Sequence, residues 1–250
     1  MDYFVFDSIY LFLPFKQGLI HISYIIFNWR YDMHIVEGFL PLHWCIIWFI
    51  LSFIFIVIGI RQMINVLREV PESKKVLGIS GVFMFVMQFF GVQFVTGTTS
   101  SALGNGFSGS VFGPAITSVI AAVVLLLQAV LLGSGGLTTL GANIFSIGVA
   151  GPFVAYLVFT AFRKRNISPV PAMAISSLLS IVCSCLTTAV QFGLVYKDIW
   201  KFVILMFLTQ LPLIVVDVLI TFVVFVLVYY SMKDNPIFSE DFGRYLKFRK

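Results

Sequence analysis

Charge is what this chain has least of. Only 11% of its 250 residues are Asp, Glu, Lys or Arg, against about 25% in a soluble domain, so a soluble globular protein is excluded. Cysteine is scarce as well: Cys45, Cys183 and Cys185 make an odd count inside or at the edge of apolar runs. They read as small packing residues rather than a disulfide framework, and the Cys183-Ser184-Cys185 spacing is too close for a helix-borne ligand pair. Catalytic patterns are missing too. There is no Ser/His/Asp motif, no His-Glu-x-x-His and no paired catalytic carboxylates, which makes an intramembrane enzyme a poor reading. Without a glycine loop ending in Gly-Lys-Ser/Thr, the chain is not expected to hydrolyse ATP itself. Short alternating segments, the signature of an outer-membrane barrel, are absent.

What remains is apolar. Hydrophobic residues make up 60% of the chain, 28 of them Phe, in continuous runs that outlast the roughly 18 to 20 residues needed to span a bilayer. The 19 Gly and 9 Pro are compatible with membrane helices. The fold class is therefore all-α, a polytopic membrane helix bundle. Clear spans cover residues 43–60, 76–95, 114–132, 137–162, 170–196 and 202–230, with a charged loop at 61–75 and a polar, basic tail at 231–250. Between the second and third lies 96–112, rich in Gly, Ser and Thr and free of charge.

Counting crossings decides where that weak segment belongs. As a loop it would put the basic clusters Arg61/Arg68/Lys74/Lys75 and Arg163/Lys164/Arg165 on opposite sides, against the positive-inside rule. Crossing as a short, protein-enclosed segment over 101–112, it gives about seven core segments and gathers both clusters and the tail, with Arg244, Lys247, Arg249 and Lys250, on the cytoplasmic side. Lys197 and Lys201 are then the core cations left outside. The net charge of +5 reflects these loops and does not indicate a nucleic acid partner.

The same parity places 33–41 and 96–101 together on the outer face of the cell membrane. There the sequence reads Met33-His34-Ile35-Val36-Glu37-Gly38-Phe39-Leu40-Pro41. A free Met33 amine, the next backbone nitrogen and the His34 imidazole would close fused chelate rings on one ion, and nitrogen donors in tetragonal geometry suit nickel, copper or cobalt. Glu37 would hold the imidazole from behind or face solvent. The plainer alternative is that His34 is an interfacial residue capping the first helix. Asp217, an acid inside the last span, either neighbours an ion path or partner helix or hydrogen-bonds Gln210 or Thr221 on its own helix. Gly135, Gly136, Gly141, Gly148 and Gly151 read as close-packing positions, with Asn143 bonding across helices or supporting the loop from below. Arg61, Arg68 and the 163–165 cluster set topology.

The stretches MHIVEGFLP, HWCIIWFILSFIFIVIGIR, PESKKVLGISGVFMFV, VTGTTSSALGNGFSGSVFGP, LLLQAVLLGSGGLTTLGANIFSIGVAGPFVAY and TQLPLIVVDVLITFVVF, in that order, resemble the cobalt transport protein CbiM family and its nickel relatives. These are substrate-capturing membrane subunits of energy-coupling factor importers. The resemblance runs from Met33 to about Tyr230, so the transport domain is expected over 33–230. It implies that Met33 and His34 bind a transported Co2+ or Ni2+ through the amine, the backbone nitrogen and the imidazole, with the glycine-rich loop reaching toward the ion. No resident cofactor is implied. The implied partners are a transmembrane coupling subunit, a pair of cytoplasmic ATPase subunits and a small auxiliary membrane subunit, and the implied role is cobalt import for cobalamin biosynthesis.

Two features depart from the family pattern. Its members usually carry a His where VTGTTSS ends, and here that position is Ser101, whose hydroxyl is a poorer ligand than imidazole. Ser100, Asn105, a backbone carbonyl, water or His43 would have to fill the place. Residues 1–32 also precede Met33, although the chelate needs a free amine there. Their apolar stretch at 9–29 is interrupted by Lys16, Gln17 and His21, and no standard signal peptide pattern precedes Met33. They are either an extra helix or lie before an internal start. Alternatives to cobalt capture are a nickel or altered-substrate relative, and an accessory membrane subunit that has lost metal binding.

Overall fold

The computed structural model describes residues 34–89, 91–93 and 99–231. Met33, the 1–32 extension and the tail beyond Ser231 lie outside the described residues. Among those described, six long helices form the bundle: α1 (Leu42–Glu69), α2 (Ser73–Phe89), α3 (Asn105–Leu132), α4 (Leu140–Lys164), α5 (Pro169–Tyr196) and α6 (Ile199–Ser231). All except the 17-residue α2 are long and apolar enough to cross a membrane. The chain is a multi-pass membrane protein. A short hairpin, β1 (Gly91–Gln93) with β2 (Thr99–Ser101), pairs Gly91 with Ser101 and Gln93 with Thr99. α3 ends in a widened π turn at 128–132, and α4 carries another at 144–150 after its first α turn.

α3 is two arms rather than one rod. At Gly113 the backbone takes φ 72 and ψ −178, a conformation essentially reserved for glycine, and Pro114 follows. The Ser108 hydroxyl donates to Thr117 Oγ1 at 3.2 Å, nine positions along the chain, whereas a continuous helix would hold those residues about 13.5 Å apart. The chain therefore folds back at Gly113. Residues 105–113 are all buried, so the first arm is the short, protein-enclosed segment expected from the Gly/Ser-rich sequence. With six long helices and this arm, the count comes close to the seven segments expected. Two boundaries differ. α1 runs through Arg61 and Arg68 to Glu69, because long cationic side chains at a helix end reach the interface while their stems stay apolar. α2 stops at Phe89 and gives way to β1 rather than continuing to 95.

Lipid is as apolar as leucine, so these helices are held by close packing and hydrogen bonds rather than by escape from water. α1 shows this on one edge, where its buried residues Cys45, Ser52, Gly59 and Val66 recur every seventh position. A side chain at Gly59 would strike the Ala115 carbonyl, and Ser52 Oγ donates to the Gly141 carbonyl at 2.6 Å. The short arm is gripped in the same manner. Side chains at Gly106 and Gly109 would collide with Ser177 of α5 and Pro152 of α4, and the fully buried Phe107 ring meets Phe83 and Phe225 edge-on at 6.1 Å each. The cysteines are unpaired, with Cys45 and Cys185 buried, in keeping with their reading as packing residues.

Candidate functional site

The segment leading into α1 folds inward over the end of the bundle. His34 is 4% exposed. Its Nδ1 lies 3.1 Å from Ser134 Oγ and its Nε2 3.2 Å from Gln88 Oε1. The next residue is held by its peptide: the Ile35 N–H donates to Asn143 Oδ1 at 2.8 Å, and its carbonyl accepts from Asn143 Nδ2 at 3.1 Å and from Thr139 Oγ1 at 2.5 Å. One asparagine thus pairs with both backbone groups of one residue, as a neighbouring strand would. Such a bond is worth about 0.5–1.5 kcal/mol when made, and losing a buried partner costs about 1–3 kcal/mol, so this clamp fixes where the imidazole can go.

Glycine makes the clamp possible on the facing turn. Gly135 has φ +74, and a Cβ there would press on the Cβ of His34; one at Gly136 would collide with Glu37. The turn between α3 and α4 therefore lies directly on residues 34–37. Farther along, the Thr138 N–H donates to Glu37 Oε2 at 3.3 Å, and the Tyr196 hydroxyl at the end of α5 donates to the Phe39 carbonyl at 3.1 Å.

Below the imidazole, a relay runs to α6. Gln88 is 1% exposed, and its Nε2 donates to the Leu103 carbonyl at 3.1 Å. The Leu103 and Gly104 amides donate to Asp217 Oδ2 at 2.5 and 3.1 Å, and the Thr221 hydroxyl donates to Asp217 Oδ1 at 2.9 Å. Those two amides open the buried arm, whose first helical residue is Asn105. A carboxylate at a helix N-terminus complements the positive end of the helix dipole, and three donors offset part of the cost of holding an acid at membrane depth.

The expected residues divide accordingly. His34, Asn143 and Asp217 belong to this connected set. Asp217 bonds Thr221 on its own helix, as one alternative had it, and also takes up the loop amides, which spacing did not reveal. Glu37 is exposed and turned to the Thr138 amide, while the imidazole is held by Gln88 and Ser134. Glu37 therefore stitches two turns together. His43 is exposed on the first turn of α1, with its ring 5.9 Å from Trp44. Asn105 is committed lower down, donating to the Ile147 carbonyl at 2.8 Å and Ser184 Oγ at 2.9 Å and accepting from Ser180 Oγ at 3.3 Å. Ser101 is placed by its backbone in β2, opposite Gly91. Gln88, Ser134 and Thr139 escaped the sequence reading. A glutamine closing an otherwise apolar run was the available signal for the first.

Among the described residues no three His, Cys, Asp or Glu side chains gather in one place. A transition metal held here would need main-chain nitrogen beside the imidazole. The donors at hand are nitrogen and neutral oxygen, which fit a borderline divalent ion.

A polytopic helix bundle with a re-entrant arm and a buried, doubly bonded imidazole at one end defines a class: a multi-pass membrane protein with a polar site at its mouth. Residues 34–234 match the family described as cobalt uptake substrate-specific transmembrane region, CbiM. A putative cobalt transport protein CbiM from Methanococcus voltae is 44% identical, covering 76% of this chain and 87% of the relative. Cobalt transport proteins CbiM from Streptococcus sanguinis and Desulforamulus reducens are 38% and 40% identical, covering 81% and 79% of this chain and 86% and 82% of theirs. A crystal structure of a transition metal transporter superposes with a TM-score of 0.68 at 25% identity, over 80% of this chain and 93% of that one. A truncated transition metal transporter superposes with a TM-score of 0.66 at 25% identity, over 81% and 100%. The chain belongs to the CbiM family.

Proposed function

We propose that this chain captures divalent cobalt at the outer face of the cell membrane and is the substrate-binding subunit of an energy-coupling factor importer supplying cobalamin biosynthesis. The observation that carries the reading is His34, a buried imidazole at the mouth of the bundle on a segment clamped through the Ile35 peptide. In a chain beginning at Met33, the amine and the His34 backbone nitrogen join the imidazole in fused chelate rings. Ser101 leaves one nitrogen fewer than the family pattern, and a water or backbone oxygen completes the shell.

Helix direction supports this orientation. α1 leads away from His34 and α5 returns to it, where Tyr196 bonds Phe39. The loops carrying Arg68, Lys74 and Lys75 and Arg163–Arg165 therefore lie at the far end, and the positive-inside rule assigns that end to the cytoplasm, with the C-terminal tail. Energy comes from a pair of cytoplasmic ATPase subunits, acting with a transmembrane coupling subunit and a small auxiliary membrane subunit.

The test is binding of CoCl2 and NiCl2 by the purified chain, with its amino terminus mapped by mass spectrometry. Saturable binding lost in His34→Ala supports capture, and competition between the two salts ranks nickel against cobalt. Binding equal in wild type and His34→Ala overturns it in favour of an accessory subunit.

A further inference from the structure

We propose that Gln88 is a positioning residue that fixes the proton of His34 on Nε2 and so presents Nδ1, lone pair outward, to the captured ion. The inference rests on the reading that His34 is the ligand. It follows from which atoms can donate.

The Leu103 carbonyl only accepts, and it lies 3.1 Å from Gln88 Nε2. The amide NH2 of Gln88 is therefore spent on Leu103, which turns Oε1 toward the imidazole. That oxygen only accepts as well, so His34 Nε2, 3.2 Å away, carries the hydrogen. A neutral imidazole has one N–H. Nδ1 is then the unprotonated nitrogen, and the hydroxyl of Ser134 at 3.1 Å donates to it.

Two independent considerations point to the same nitrogen. A metal ion takes the lone pair, and Nδ1 alone closes a six-membered ring with the residue's own backbone nitrogen. The Ser134 hydroxyl sits where it satisfies that lone pair until a cation arrives, and it then swings aside. Gln88 itself cannot turn over, because Leu103 is pinned by the Asp217 carboxylate through its amide at 2.5 Å. The tautomer of His34 is thus set by a chain of bonds that begins on α6. Hydrogen-bond partners that orient a metal-binding imidazole typically matter by about 10- to 100-fold in affinity.

The test uses the full chain in lipid nanodiscs with 15N-labelled histidine, of which there are three; the His34 signals are assigned by their loss in His34→Ala. Without metal, long-range 15N–1H correlations should show His34 protonated on Nε2 in the wild type and a mixture of tautomers in Gln88→Leu. Gln88→Glu keeps an acceptor for the ring but loses the donor to the Leu103 carbonyl, so it should restore the Nε2–H form in part. Binding of CoCl2 should fall about 10- to 100-fold in Gln88→Leu and recover in part in Gln88→Glu. A wild-type ring protonated on Nδ1 overturns the proposal, as does Gln88→Leu binding cobalt as tightly as wild type while His34→Ala loses it. Unchanged binding in His34→Ala instead removes the ligand reading, a separate outcome that the metal-free spectra do not depend on.

Discussion

Asp217 and Leu103 stand 114 positions apart and are joined by a 2.5 Å bond from the Leu103 amide to the carboxylate. Because the Leu103 carbonyl holds Gln88, and Gln88 holds His34, an acid in the middle of the last helix is mechanically connected to the imidazole at the mouth. Asp217→Ala would leave the Leu103 and Gly104 amides buried without this acceptor, at about 1–3 kcal/mol each. It should lower thermal stability and speed hydrogen exchange at both amides. Asp217→Asn keeps one oxygen for those amides and can donate its NH2 to Thr221, so it should be clearly milder. Equal exchange rates in wild type and Asp217→Ala would sink the connection.

The fold-back at Gly113 makes a sharper prediction. Ser108 and Thr117 touch only because the chain reverses between them. The double substitution Ser108→Cys, Thr117→Cys should form an intrachain disulfide under mild oxidation, read by mass spectrometry of the digested protein. In an uninterrupted helix the pair could not be bridged. Gly113→Ala forces a side chain into a backbone conformation costing about 1–3 kcal/mol and should reduce the folded yield and the unfolding temperature.

The buried arm was legible in the sequence because its lack of charge, its glycines and the parity of the basic clusters all required a short segment enclosed by protein. The order of the long helices was legible for the same reason that lipid demands it. The bonds around His34 were not. Ser134 and Asn143 meet residues 34 and 35 from 100 and 108 positions away, and no local periodicity encodes such a distance. His43 was one of several candidates for the missing imidazole, and α1, which starts at Leu42, leaves its side chain exposed. Asn105, a polar residue in the right segment, fastens that segment to α4 and α5.

Asn143 offers the cleanest test of how far the His34 segment depends on its clamp. Asn143→Ala removes a donor and an acceptor from the Ile35 peptide while Thr139 still reaches its carbonyl. The unpaired Ile35 amide costs about 1–3 kcal/mol, which corresponds to about 5- to 150-fold in any binding that needs this segment in place. Cobalt titration should show that loss with helix content unchanged. Faster hydrogen exchange at Ile35 should accompany it. Tight binding in Asn143→Ala would mean that the metal organises the segment unaided.

Restoring the imidazole that the family usually carries tests the departure at position 101 directly. β2 ends at Ser101, two residues before Leu103, whose carbonyl anchors Gln88 beneath His34. The backbone therefore brings position 101 to the same end of the bundle as the proposed ligand. An added nitrogen donor in place of a hydroxyl suits cobalt and nickel, and the higher place of nickel in the divalent affinity order makes it the larger beneficiary. Ser101→His should tighten both metals by about ten-fold or more, equivalent to at least about 1.4 kcal/mol, and shift the ligand-field absorption of bound Ni2+ to higher energy. An unchanged spectrum and affinity would show that the imidazole is not reached from position 101 in this chain and that its metal shell is built without that loop.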